Sequence, residues 1–206
     1  MSLQIWDVVF EPGNSDCVAT CGGRYLCVFK VSTGELMLKY THAQRSHELF
    51  TLSWTILAED TVILASGSAS GEVRLFHPAR QVSFHHWSVG RGVAVYAVKF
   101  HSNQPSWMFV GSNNSEVGLW DIGDPQPPHY HCKPCQLVKL VADSGDIYSM
   151  AWVTEDEWLM VGTAEGLVGW KVQEEKVKED MFPRYRPDMV KFRLVYPASI
   201  LSICTV

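Results

Sequence analysis

Four stretches of this chain repeat one another, and the period of that repeat restricts the possible folds more than any other feature. Each stretch opens on an aromatic residue with a second aromatic four positions later: Trp6 and Phe10, Phe50 and Trp54, Tyr96 and Phe100, Tyr148 and Trp152. The second members lie 44, 46 and 52 residues apart. A turn of small residues with Gly follows each pair, at 22–23, 67–71, 111–115 and 162–166. An apolar run then ends on another aromatic, at Phe29, Phe76, Trp120 and Trp170, at intervals of 47, 44 and 50. The runs are rich in Val, Leu and aromatics, and Gly or Asn stands where tight hairpins need positive φ. Each unit therefore reads as three short strands. A fourth, outer strand fits at 36–42, 81–87 and 135–141, and the fourth unit offers no clear equivalent. Four strands at this period make one blade of a β-propeller.

The predicted fold is thus all-β, a propeller of about four blades plus the first strand of a fifth. The blades are expected at about 3–42, 48–88, 93–142 and 145–196, with the fifth beginning at about 199–206. At 206 residues, 47% hydrophobic and 19% charged, the chain has ample material for a core. A net charge of -5 argues against non-specific binding to nucleic acid or to an anionic membrane. No apolar run approaches the roughly 18 residues of a spanning helix, and the N-terminus lacks the features of a secretory signal. A reducing compartment is expected for the six cysteines, most of which lie in apolar runs. A ring normally closes to remove its edges. Four blades point to a fragment or short form of a longer protein, with completion by a second copy, or a chain that does not fold alone, as the alternatives.

Residues 107–122, Trp-Met-Phe-Val-Gly-Ser-Asn-Asn-Ser-Glu-Val-Gly-Leu-Trp-Asp-Ile, resemble the WD40 repeat, with Trp120-Asp121 as its closing dipeptide. The other units end Phe29-Lys30, Phe76-His77 and Trp170-Lys171, and Asn114 and Ser70 replace the family's turn Asp. A narrower resemblance lies in 3–12, 18–23, 33–40, 48–55 and 119–123. These segments are similar to the propeller of the leucine-rich-repeat and WD-repeat family that associates with the origin recognition complex, clearly so up to about residue 140. That resemblance implies a nuclear, chromatin-associated adaptor that is not an enzyme. Its implied partners are origin recognition complex subunits and trimethyl-lysine histone tails, with DNA met only indirectly, no membrane and no cofactor. A more distant resemblance to the polycomb propeller implies a methyl-lysine site at the strand-start aromatics, here Trp6 and Phe50.

Aromatic rings attract quaternary ammonium groups through their faces. Because i and i+4 of a strand share a side, Trp6, Phe50, Tyr96 and Tyr148 are expected to recur around one end of the channel. Trp87, read as part of a loop before the third blade, is expected to join them. Aromatics at the repeat period also serve simply to pack blades together. His129, His131, Cys132 and Cys135 form the most metal-like cluster, but one C-x-x-C without a second pair is a weak zinc pattern. Gly67–Gly71 carries Ala69 at the nucleophile position of G-x-S-x-G, and no Lys-Ser/Thr follows it. His85-His86 has no neighbouring acid in sequence. Mixed charge and prolines over 173–193 suggest an exposed or partly disordered loop, with a short basic contact to DNA or an acidic partner as the lesser alternative.

Overall fold

The computed structural model describes residues 4–44, 47–125, 130–142, 145–179 and 192–195. Within them the chain forms four separate four-stranded antiparallel sheets, each from consecutive strands. The first blade comprises β1 (Asp7–Glu11), β2 (Asn14–Gly22), β3 (Tyr25–Lys30) and β4 (Leu36–Thr41). The second comprises β5 (Leu49–Ile56), β6 (Val62–Ser68), β7 (Glu72–His77) and β8 (Val82–Ser88). The third comprises β9 (Val95–Phe100), β10 (Trp107–Ser112), β11 (Glu116–Asp121) and β12 (Cys135–Val141). The fourth comprises β13 (Ile147–Val153), β14 (Trp158–Thr163), β15 (Gly166–Lys171) and β16 (Phe192–Val195). The first strand of each blade is innermost: β1 packs on β5, β5 on β9 and β9 on β13. The result is an arc of four propeller blades. Residues 199–206, expected to begin a fifth, lie outside the described residues.

Side chains alternate across a strand, so each sheet has two faces. The face toward the preceding blade is its leading face, and the opposite one its trailing face. Three cores fill the gaps between successive blades. The first joins Ala19, Cys21 and Val28 to Leu52, Trp54 and Phe76. The second joins Ala65, Val73 and Leu75 to Val98, Phe100 and Met108. The third joins Phe109, Val117 and Leu119 to Met150, Trp152 and Trp170. The blades come so close that two trailing-face positions must be glycine. A Cβ on Gly67 would collide with Val95, and one on Gly111 with Ile147.

The inner strand of each blade has a free edge, which must be satisfied or hidden. Here the preceding blade's side chains supply the acceptors. Asp7 Oδ2 accepts the Leu52 N–H at 2.7 Å, Thr51 Oγ1 accepts Val98 N–H at 3.3 Å, and Ser53 Oγ accepts Phe100 N–H at 3.0 Å. Trp54 Nε1–H and the Thr55 hydroxyl donate to the carbonyls of Val9 and Pro105, at 3.2 and 2.8 Å. The hairpins between second and third strands are closed locally. The hydroxyls of Ser68, Ser112 and Thr163 donate to the carbonyls of Glu72, Glu116 and Gly166 at 3.0–3.1 Å.

The stretch read as an exposed loop begins otherwise. Residues Glu174–Glu179 form a helix, α1, and β16 supplies the fourth blade's outer strand. Val177 enters the third core. Glu174 accepts hydrogen bonds from Asn103 Nδ2 and Gln104 Nε2 at 3.1 and 2.9 Å, and its carboxylate lies 3.5 Å from the Nε2 of buried His101. Mixed charge signalled exposure, but one apolar residue and one well-partnered acid suffice to dock the helix. Among the described residues no helix is long and apolar enough to cross a membrane.

Candidate binding site

The strand-start aromatics of blades 2–4 occupy one structural position. The register of each inner strand slips by one residue there: between Leu49 and Thr51, between Val95 and Ala97, and between Ile147 and Ser149. Phe50, Tyr96 and Tyr148 are the extra residues of these β-bulges. A bulge breaks the alternation of faces and re-aims its side chain. Trp6 stands at the same place in blade 1, where its N–H donates to the Cys21 carbonyl that Asp7 also faces. The i, i+4 argument for these residues is therefore corrected. Trp54, Phe100 and Trp152 enter the cores between blades, whereas their partners turn into the mouth of the channel.

There the rings form an unbroken ladder across all four blades. Trp6 meets Phe50 edge-on at 5.6 Å between centroids, Phe50 meets Tyr96 at 5.2 Å, and Tyr96 stacks on Tyr148 at 5.6 Å. Contacts of this kind contribute about 0.5–1.5 kcal/mol each beyond burial. Trp6, at the open end, remains 47% exposed. The ladder walls a groove of about 260 Å³ that also includes Asp7, Thr51, Lys99 and Ser149. Burial raises the Asp7 carboxyl above its ordinary value, opposed by its hydrogen bonds from Leu52 and Val8 and by the charge of Lys99. At the other end of the same strands a larger hollow of about 760 Å³ is bounded by Phe10, Trp54, Ile56, Lys99 and Pro105.

Trp87 does not join the ladder. It belongs to β8, the outermost strand of blade 2, three strand spacings or roughly 14 Å from the inner strand. Its ring packs against Trp120 at 5.8 Å and His85 at 6.0 Å. The loop reading failed because β8 runs through Trp87 to Ser88, as the outer strand expected at 81–87 already implied.

The described members of the cysteine–histidine cluster, His131, Cys132 and Cys135, do not form a metal-holding group. Cys135 begins β12 opposite Asp121. Cys132 packs against the second core, and burial pushes its thiol up to about 12, which disfavours the thiolate that a metal requires. His129 lies outside the described residues. Among the described residues no group of three or more His, Cys, Asp or Glu is placed to hold a metal ion.

Asp7 and Lys99, the charged residues of the groove, escaped the sequence reading. The position after each strand-start aromatic holds Asp7, Thr51, Ala97 and Ser149, so no repeat of type marks it.

The chain is similar over residues 1–184 to the WD domain of leucine-rich repeat and WD repeat-containing protein 1. This match runs beyond the roughly 140 residues in which the resemblance was clear by inspection. The Danio rerio protein of that name is 31% identical over 98% of this chain, and the Homo sapiens protein 28% identical over 84%. The chain spans 29% and 28% of their lengths, respectively. Polycomb group protein FIE1 of Zea mays is 23% identical over 51% of the chain. A WD-repeat arc of this kind is a scaffold for protein–protein interaction. Repeat period, sheet topology and family match agree: the chain belongs to the WD-domain family of leucine-rich repeat and WD repeat-containing protein 1.

Proposed function

We propose that this chain is the docking arc of a nuclear chromatin adaptor, which engages the origin recognition complex and presents its aromatic ladder to trimethyl-lysine histone tails. The observation that carries the reading is the ladder: four rings from four blades, open at Trp6 and flanked by the Asp7 carboxylate. Neighbouring rings touch, so a trimethylammonium group lies on the ladder's open side rather than between two rings. Each ring face it meets there is worth about 0.5–1 kcal/mol. Asp7 adds attraction and Lys99 opposes it. The net charge of -5 suits a basic tail.

Ring-to-ring contact also favours a second reading, in which the ladder only seals the inner strands and the chain is a scaffold with no reader activity. Titration of the folded chain with trimethyl-lysine and unmodified histone peptides separates the two. The reader prefers the trimethylated peptide, loses that preference in Trp6→Ala, and gains affinity in Lys99→Met. Equal binding of both peptides leaves the scaffold.

A further inference from the structure

Lys99 stands half-buried on the inner strand of blade 3. Among the described residues no carboxylate lies within ion-pair distance of its ammonium. Asp7 feels its charge, but the Asp7 carboxylate is already engaged by the N–H groups of Leu52 and Val8. A half-buried cation has given up part of its hydration, and an anion that reaches it restores the loss.

The hollow of about 760 Å³ at the end of the inner strands away from the ladder places apolar surface beside this cation. Blades 1, 2 and 3 all contribute to it on the channel side, and β5 lines it from Leu52 to Ile56. Four residue steps of a strand measure about 13 Å, the span of a short extended peptide. Ile56, which is 37% exposed, and Pro105 supply apolar wall. Lys99 is the one lining residue charged at neutral pH, because burial holds His101 below the ordinary histidine value.

A second donor faces the same side. N–H groups alternate in direction along an antiparallel strand, so the Trp54 N–H points away from β6 as the Leu52 N–H does when it donates to Asp7. One blade further on, Ser53 Oγ accepts the equivalent Phe100 N–H at 3.0 Å. Val9 follows Trp6 by three residues as Ser53 follows Phe50, and valine has no side-chain acceptor. Trp54 and Lys99 both line the hollow, and an acceptor-rich anion answers the donors of both.

We propose that this hollow docks a short extended segment of a partner protein in which an Asp or Glu adjoins a bulky apolar residue. The carboxylate pairs with Lys99 Nζ and accepts the Trp54 N–H, while the apolar side chain lies against Ile56 and Pro105. A nucleic-acid backbone calls for several cations, whereas the hollow offers one on a chain of net charge -5. This docking surface lies at the opposite end of the strands from the ladder, and Lys99 acts on the two ligands with opposite sign.

Panning a random dodecapeptide phage library on the folded chain, with counter-selection on Lys99→Met, tests this. The recovered sequences are expected to share an Asp or Glu next to Leu, Ile, Phe or Trp. The most frequent one is synthesised with blocked ends, beside its Asn or Gln counterpart, and titrated by fluorescence anisotropy. Neutralising the peptide and replacing Lys99 with Met each weaken binding about ten-fold or more. Ile56→Asp does the same from the apolar side, with near-UV circular dichroism unchanged because the side chain is exposed. Val82→Glu, an exposed site on the outer strand of blade 2, binds as the wild type does. Lys99→Met weakens this peptide and strengthens the trimethyl-lysine peptide, so either reading can fail without the other. Recovery of no acidic–apolar consensus overturns the proposal. So does binding that is indifferent to Lys99→Met, to Ile56→Asp or to neutralisation of the peptide.

Discussion

Replacing Gly111 with Ala tests whether the blades are spaced as described. Gly111 lies on β10, on the trailing face of blade 3, opposite Ala97. Its added methyl would collide with Ile147 Cγ2 and come within 3.1 Å of Ile147 Cβ and 3.3 Å of Met150 Sδ. Ile147 is fully buried and cannot swing away. Forcing one methyl into a packed core costs about 1–3 kcal/mol. Ile147→Ala removes the colliding group at the price of a cavity, about 2–5 kcal/mol. The two losses share one cause, because the cavity left by Ile147 is where the new methyl goes. The double variant is therefore expected to be less destabilised than the sum of the single ones, with a coupling of about 1–2 kcal/mol. Urea unfolding followed by tryptophan fluorescence measures all four proteins. Stability is read from the midpoint, with an unchanged slope confirming the same folded and unfolded states. Strict additivity would refute close approach of β10 and β13 at this point.

Two further outcomes follow from the same structure. Ser53→Ala removes the acceptor of the buried Phe100 N–H and is expected to cost about 1–3 kcal/mol by the same urea assay; no loss would mean that the hydroxyl does not seal the inner edge. Burial, foremost, holds His77, His85 and His101 below the ordinary histidine value, and Glu174 partly opposes this at His101. The unfolded chain then takes up protons first. Stability is full above about pH 6.5 and falls as pH drops through the folded-state values, so the melting temperature should decline from about pH 7.5 to about pH 5. A melting temperature that is flat or rises over that range would contradict the burial of these rings.

The blades were legible because their strands obey the two-residue period and their units a period near 46 residues. The outer strands expected at 36–42, 81–87 and 135–141 correspond to β4, β8 and β12. The bulges were not legible. Whether Phe50 counts in the alternation of β5 depends on how β5 meets β6, a pairing that the residues of β5 alone do not reveal. The four aromatics were thus found for a reason that the structure replaces. Trp87 was misplaced because it was read as a loop residue although the outer strand expected at 81–87 already includes it. Asp7 was invisible because the same position holds Thr51, Ala97 and Ser149 in the other blades, so no residue type repeats there. In α1, local composition spoke for solvent, whereas Glu174 finds partners in blade 3, about seventy residues earlier in the chain, and Val177 enters the core between blades 3 and 4.

The leading faces of blades 2, 3 and 4 are each covered by the blade that precedes them in the sequence. During synthesis, blade 2 emerges with the trailing face of blade 1 already made, and blades 3 and 4 meet the same situation. No internal interface has to wait for a residue that has not yet been translated. The arc can thus assemble vectorially, adding one unit at a time as repeat proteins do. Loop closure then spans about one blade at each step, which keeps its entropic cost nearly constant as the chain lengthens.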